Sequence, residues 1–448
     1  MKSDKIFAEF RQEIEQSPDE YVEDYFRLKS IVDRSSAVYE DEPVSFLYQP
    51  VFYRDEEIDL LKEVAGTLTD IFKKVIEEYR NSKQFRQYFN FSSLLEELIL
   101  VEPGYEIDFP MARFDIFYGP RTCKFCEINT DGTSGMNESR VIQNCFESSK
   151  IMNCLAADYE YYTHELFFSW IEALKENYRK FCENNDEDQA EEPVLVIMDF
   201  EGEGVIKEFE EFKKRFRGID YQVFICDPRE LEYREQELYY NEHKVDIIYR
   251  RATTGRLLEN AEQIDDLLTA YKEKAVCMVG GFVSQLIHNK KIFALLHDSD
   301  RVSFLDKKEQ KFIKKHVPAT EVLDHEDQKQ KKKILNLKDS FILKPCDSFA
   351  CKGVYAGVDY EQGEWEKILA DIKDKNYIVQ EFVSLPARDM LTVKDDDWCF
   401  EKYNILTGIY LYNYQFSGIY NRGGRKNIIG SPVESFTLPA FVMSEKEN

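Results

Sequence analysis

The chain has 448 residues, 43% of them hydrophobic and 14% aromatic, which excludes wholesale disorder and predicts roughly two to four domains around a large core. A formal charge of −26 excludes nucleic acid as a general partner, because a phosphate backbone needs a cationic surface. A run of about eighteen apolar residues occurs nowhere, so no membrane partner is expected, and ten scattered cysteines with only six histidines fit a reducing cytoplasm.

Residues 1 to about 100 read as a helical region. Phe7, Phe10 and Ile14, then Leu60, Leu61, Val64, Leu68, Ile71, Phe72, Val75 and Ile76, recur at helical spacing. The charged opening MKSDKIFAEF is helix-like and unlike a signal segment. Pro43 and Pro50 mark 41–51 as a loop.

A pair of strands follows. Arg113-Phe-Asp115-Ile-Phe117 alternates, so Arg113 and Asp115 share one face and Phe114 and Ile116 the other. After a turn at Gly119-Pro120, Lys124-Phe-Cys126-Glu-Ile-Asn129 puts Glu127 and Asn129 on one face. Paired as a hairpin, the strands would gather Arg113, Asp115, Glu127 and Asn129. Two carboxylates and an amide oxygen suit Mg²⁺, and the guanidinium suits phosphate or a developing oxyanion. The plainer reading is a solvated sheet face with an ordinary ion pair. Cys123 and Cys126, with Cys145 and Cys154 downstream, could be read as zinc ligands, but cysteines three apart on an alternating strand point to opposite faces.

A small-residue loop carrying Ser134-Gly135 leads into 137 to about 181, which reads as helix, and the acidic stretch 186–192 before Pro193 marks a boundary. Three apolar strands then alternate with helices: Pro193 to Asp199, Tyr221 to Asp227, and Val245 to Arg251. That pattern predicts a parallel sheet, with Asp199, Asp227, Arg250 and Arg251 at the carboxyl ends where such sheets bind ligands. Gly202-Glu-Gly204 falls short of a dinucleotide fingerprint.

The last third begins with a helix bearing Asn289-Lys290-Lys291. Lysine-dense segments over 306–338 read as solvated surface or as a basic flap over nucleotide. Lys344-Pro345 ends an apolar strand beside the loop 346–353, a plausible phosphate grip that lacks the Walker order. Tyr377-Ile-Val-Gln380-Glu381-Phe382-Val383 is another apolar strand turning polar at its end.

Taken together, these motifs resemble the circularly permuted ATP-grasp ligases, typified by glutathionylspermidine synthetase. The resemblance spans about residues 105 to 430 and rests on four motifs in one order: Arg113-x-Asp115, Glu127-x-Asn129 with Ser134-Gly135, Asn289-Lys290, and Lys344-Pro345 before Gln380-Glu381. Ordinary members carry the Arg and the metal-binding set after the lysines; here they come first. The resemblance implies an α/β (α+β) chain with a circularly permuted ATP-grasp fold, divided into a helical region 1–100, a hairpin-bearing segment 101–190, a Rossmann-like pre-ATP-grasp domain 191–275 and nucleotide-binding segments 276–448.

It also implies ATP and Mg²⁺ as cofactors, a carboxylate and an amine as substrates, and amide formation through an acyl phosphate. Arg113 would be catalytic, and Asp115, Glu127 and Asn129 would hold the metal. Lys290 (or Lys291) and Lys344 would hold the phosphates, and Gln380, Glu381, Phe382 and Val383 the adenine, with backbone groups of Glu381 and Val383 at the base edge. Ser134, Gly135, Arg250 and Arg251 would face substrate, although the two arginines could equally pair with Asp199 or Asp246. Ser417 and Arg422 match a strand near the site only loosely. The chain departs from the family at Thr133, where a proline is common, and at the loop 346–353, which is poor in glycine and carries Phe349. Nothing before residue 100 offers an amidase-like Cys/His pair. A nucleotide-binding scaffold without turnover and a simple phosphotransferase are the competing functions.

Overall fold

The computed structural model describes residues 1–186, 188–348, 351–394, 397–430 and 434–446; Phe349 lies outside them. No helix among the described residues is long and apolar enough to cross a membrane.

At the centre stands a six-stranded antiparallel sheet. Its strands run in the order Phe436–Leu438, Gln415–Gly424, Asp397–Tyr412, Met111–Gly119, Thr122–Asn129, with Ala387–Lys394 pairing the first half of Asp397–Tyr412. The hairpin forms with Arg113 opposite Asn129 and Asp115 opposite Glu127. Alternation sorts the faces of the first strand, and on the second a bulge at Cys126, where Asp115 and Ile116 face Glu127 and Phe125, turns Phe125 to the core side and leaves Glu127 on the other. Phe114, Ile116 and Phe125 are fully buried, and Phe114 meets Phe72 edge-on, with ring centres 5.8 Å apart. Phe72 belongs to the 27-residue helix Asp55–Asn81, whose first turn carries Asp55, Glu56 and Glu57 and whose buried stripe covers this face of the sheet. Burying one such aromatic contributes about 2–3 kcal/mol. The opposite face, with Arg113, Asp115 and Glu127, is left to the cavity.

A second, four-stranded antiparallel sheet (Thr320–Val322, Tyr377–Glu381, Phe341–Pro345, Tyr355–Ala356) has its own core around Leu343, Trp365 and Val379. A four-stranded parallel sheet in the order Cys277–Val279, Ile247–Arg250, Val194–Met198, Gln222–Cys226 carries helix Ile206–Arg217 between its first two strands in sequence. Its fourth strand extends past the expected boundary at 275, because Cys277–Val279 pairs in parallel with Ile247–Arg250.

Several expectations need correction. The N-terminal region is not wholly helical: Val38–Tyr39 pairs with Glu42–Pro43, and Val51–Tyr53 joins Ala440–Glu445 in a small sheet. The stretch 137–181 is likewise interrupted by strand Tyr159–Tyr162, held by the same C-terminal strand. Val51–Tyr53 and Tyr159–Tyr162 are strands because of a partner nearly three hundred or more positions away, which local periodicity cannot register. The lysine-rich segment 306–338 holds two helices, Lys307–His316 and Gln328–Asn336, each started by an aspartate side chain (Asp306, Asp327) that accepts backbone N–H groups.

Candidate active site

Between the six-stranded and the four-stranded antiparallel sheets lies an open cavity of about 750 Å³. One wall offers Phe117, Glu127, Leu406 and Arg422, and the other offers Ile342, Lys344, Gln380 and Glu381. Lys290, Phe382 and Val383 complete the lining that bears on the chemistry. The apolar part suits a flat heterocycle, and the charged part suits phosphates.

Asp115, only 1% exposed, lies behind the charged end, next to the cavity-lining Arg422. Its Oδ1 accepts from Arg113 Nε at 2.8 Å, and its Oδ2 accepts from Arg422 at 2.7 Å and from Asn129 Nδ2 at 3.2 Å. The strand beside it must make room. A Cβ on Gly408, opposite Asp115 in the register, would stand 2.9 Å from Arg113 Cδ and 3.0 Å from Asp115 Oδ1, so glycine is required there. Arg113 also donates to the Ser134 carbonyl at 2.9 Å.

Glu127 faces Lys290 across 2.8 Å. Burial works against its charge, but Lys290, Lys344 and His288 outweigh that and hold its carboxyl down to about 2. Lys290 is not on a helix as the sequence suggested. It stands at the break between the short helices Ser284–His288 and Lys291–His297, with its N–H on the Cys346 carbonyl at 2.8 Å and its ammonium turned inward. Lys291 points the other way, to the Phe89 carbonyl. Lys344 Nζ bridges the two sheets, donating to the Cys126 carbonyl at 2.9 Å and to Gln380 Oε1 at 2.8 Å.

At the apolar end the expected backbone contact changes. The Glu381 N–H is taken by the Ala319 carbonyl at 2.7 Å, because strand Thr320–Val322 pairs alongside, and the Glu381 carboxylate is held by Lys124. The Val383 amide donates to nothing among the described residues.

Arg250 and Arg251 are not poised for a substrate. Arg250 is buried on Asp131 at 2.6 Å, and Arg251 on Glu208 and the Thr133 carbonyl; neither reaches Asp199 or Asp246 as a hydrogen-bond partner. They pin the loop carrying Ser134 and Gly135 against the carboxyl ends of the parallel sheet, and its backbone rather than its side chains meets Arg113. Gly135, at φ +109°, lies against Tyr420 and Glu138. Ser417 lies near the start of strand Gln415–Gly424, where its Oγ accepts the Tyr412 N–H, and it is not part of the cavity lining.

The strongest residue that sequence reasoning underweighted is Arg422. It shares a face with Tyr420 on strand Gln415–Gly424, and Tyr420 donates to Glu138. Burial raises the Glu138 carboxyl to about 6, with Glu208 adding to the rise while Tyr420, Arg422 and Arg113 oppose it. A raised carboxyl favours the fold in its protonated form, so this contribution is full below about pH 4.5 and fades as pH rises through 6. Glu138→Gln is therefore expected to gain stability relative to wild type between pH 5 and pH 8, read from denaturant midpoints at the two values. An unchanged difference would rule the raised carboxyl out. Glu127 has the opposite sign: its contribution is present above about pH 4.5 and is lost as pH falls towards 2.

The fold has a counterpart among solved structures. A glutathione synthetase-like effector from Globodera pallida matches it with a TM-score of 0.56 at 11% identity, over 94% of this chain and 96% of that one. D-cycloserine synthetase matches at a TM-score of 0.31 and 10% identity, over 56% of this chain and 90% of that one. D-alanyl-alanine synthetase A from Vibrio cholerae matches at 0.30 and 5%, over 56% and 89%. No family model matches the chain, and no curated protein matches it.

Proposed function

We propose that this protein is an ATP-dependent carboxylate–amine ligase of the circularly permuted ATP-grasp type, with the parallel sheet as its Rossmann-like domain. One observation carries the reading. Glu127, Lys290, Lys344 and Arg422 come from segments scattered over some three hundred positions, yet they line one cavity whose other end is apolar.

Mg²⁺ is tested by the oxygens on offer. Both Asp115 oxygens are engaged by arginines, whereas the second Glu127 oxygen and the Asn129 amide oxygen accept nothing among the described residues. No three His, Cys, Asp or Glu side chains gather as a metal site among the described residues. These donors fit a Mg²⁺ that takes its remaining ligands from phosphates and water, as this ion ordinarily does. Glu127 and Asn129 would hold it, and Asp115 would keep Arg113 and Arg422 in place behind them.

ATP supplies the phosphoryl group that turns a carboxylate into an acyl phosphate, and Mg²⁺ neutralises the phosphates meeting it. Lys344 and Lys290 take the phosphates as point charges, and the Val383 amide meets the base. Arg113 and Arg422, locked side by side by Asp115, stabilise the negative charge that develops on the transferring group and on the later tetrahedral centre. A peptide-like acid and an amine are the proposed substrates, and ten free thiols suit a cytoplasmic setting.

A second reading, a nucleotide-binding scaffold, has one observation in its favour. Cys351 sits at φ +58° in the phosphate loop, a conformation that favours glycine. Incubation with Mg-ATP and a panel of amino acids, glutathione and polyamines, with hydroxylamine as a trap, separates the readings. ADP release with hydroxamate formation supports the ligase. Tight nucleotide binding without ADP release on any member would replace it with the scaffold, and a stable phosphate ester would indicate a phosphotransferase.

A further inference from the structure

The cations at the cavity are each engaged by the protein itself, but the engagements are not equivalent. Arg113 and Arg422 share a carboxylate deep in the sheet, and Lys344 is held by neutral oxygens. Lys290 alone is paired with the carboxylate that is proposed to meet metal. Its ammonium, 3% exposed, lies 2.8 Å from Glu127 Oε1 and 2.8 Å from the Ser348 carbonyl in the phosphate loop. Its backbone N–H holds the Cys346 carbonyl of the same loop. One side chain thus ties the hairpin to the loop that nucleotide must enter.

We propose that Lys290 and Glu127 form a latch, each masking the other until a metal and a nucleotide arrive together. This deepens the ligase reading and rests on it. The physical reason is a balance of charges. A divalent cation approaching Glu127 alone meets a carboxylate already neutralised by an ammonium that has no other anion to turn to. A polyphosphate approaching Lys290 alone meets an ammonium already neutralised, with the Glu127 charge beside it. When both come, Lys290 passes to the phosphates and Glu127 to the metal, and every charge keeps a partner. Each ligand then tightens the other by the same factor.

Binding of Mn²⁺ alone, followed by electron paramagnetic resonance, tests this without turnover. Wild type is expected to bind free Mn²⁺ weakly and to bind it at least about tenfold tighter with a non-hydrolysable ATP analogue present. Lys290→Met frees Glu127, so it is expected to bind Mn²⁺ alone about tenfold tighter than wild type while binding the analogue more weakly. Opposite signs for the two ligands are the signature. Glu127→Gln provides the second arm: it frees Lys290, so binding of metal-free analogue is expected to strengthen about fivefold. Lys290→Met binding free Mn²⁺ no better than wild type would overturn the latch, as would unchanged metal-free analogue binding in Glu127→Gln. If wild type binds neither the analogue nor Mn²⁺ with it, the ligase reading itself falls, which is a distinguishable result.

Discussion

Asp115→Ala is expected to abolish ADP release and to destabilise the fold by about 3–5 kcal/mol, the usual cost of removing one partner from a buried ionic cluster. The two effects share a cause. Asp115 is the single anion between Arg113 and Arg422, with Arg113 bidentate on it and Arg422 at 2.7 Å. Without it, two guanidinium groups that are 12% and 15% exposed face each other with no counter-charge. Asp115→Asn keeps the shape and one acceptor oxygen, so it should recover part of the stability and little of the activity. Urea denaturation together with ADP release reads both quantities. A fully stable Asp115→Ala variant with near-normal turnover would remove this cluster from the mechanism.

Lys344→Met should raise the nucleotide dissociation constant by about 10- to 100-fold, which corresponds to the roughly 1.5–3 kcal/mol of a hydrogen bond to a charged group. Lys344 lies on Phe341–Pro345 and reaches the Cys126 carbonyl of the other sheet, while Gln380, its second partner, is fixed by Thr320 at 2.9 Å. The ammonium is therefore held in place before nucleotide arrives, and little ordering is lost on binding. Lys291→Ala is the control. Its ammonium lies on the Phe89 carbonyl, and nucleotide affinity should change less than about twofold. Calorimetric titration with Mg-ATP distinguishes the two. Equal losses in both variants would mean that charge in the general region matters and the position of Lys344 does not.

The difference between Lys290 and Lys291 shows what neighbouring residues leave undetermined. In sequence the two are adjacent on an apparently continuous helix, and either could face inward. The helix breaks at Asn289 and Lys290 because the Lys290 N–H is captured by the Cys346 carbonyl, 56 positions away, and only that contact turns one lysine in and the other out.

The arginines make the same point. Arg250 and Arg251 end an apolar parallel strand, a ligand-binding position by rule, yet the chain's own loop 131–135 fills that crevice and takes both charges. Arg422, by contrast, sits in a strand with no distinctive motif, and it becomes part of the site because Gln415–Gly424 pairs beside Asp397–Tyr412.

By itself the sequence determined the two-faced hairpin, the apolar strands of the parallel sheet and the polar residue types of the cavity. Period-two alternation decides which side chains share a face before any partner strand is known. Only the tertiary structure decided which cations meet which anions, that Asp115 is held by two arginines, and that Val51–Tyr53 and Tyr159–Tyr162 are strands at all. The reason is range: a local pattern fixes direction, whereas charge pairing and sheet edges depend on segments brought together from hundreds of residues apart.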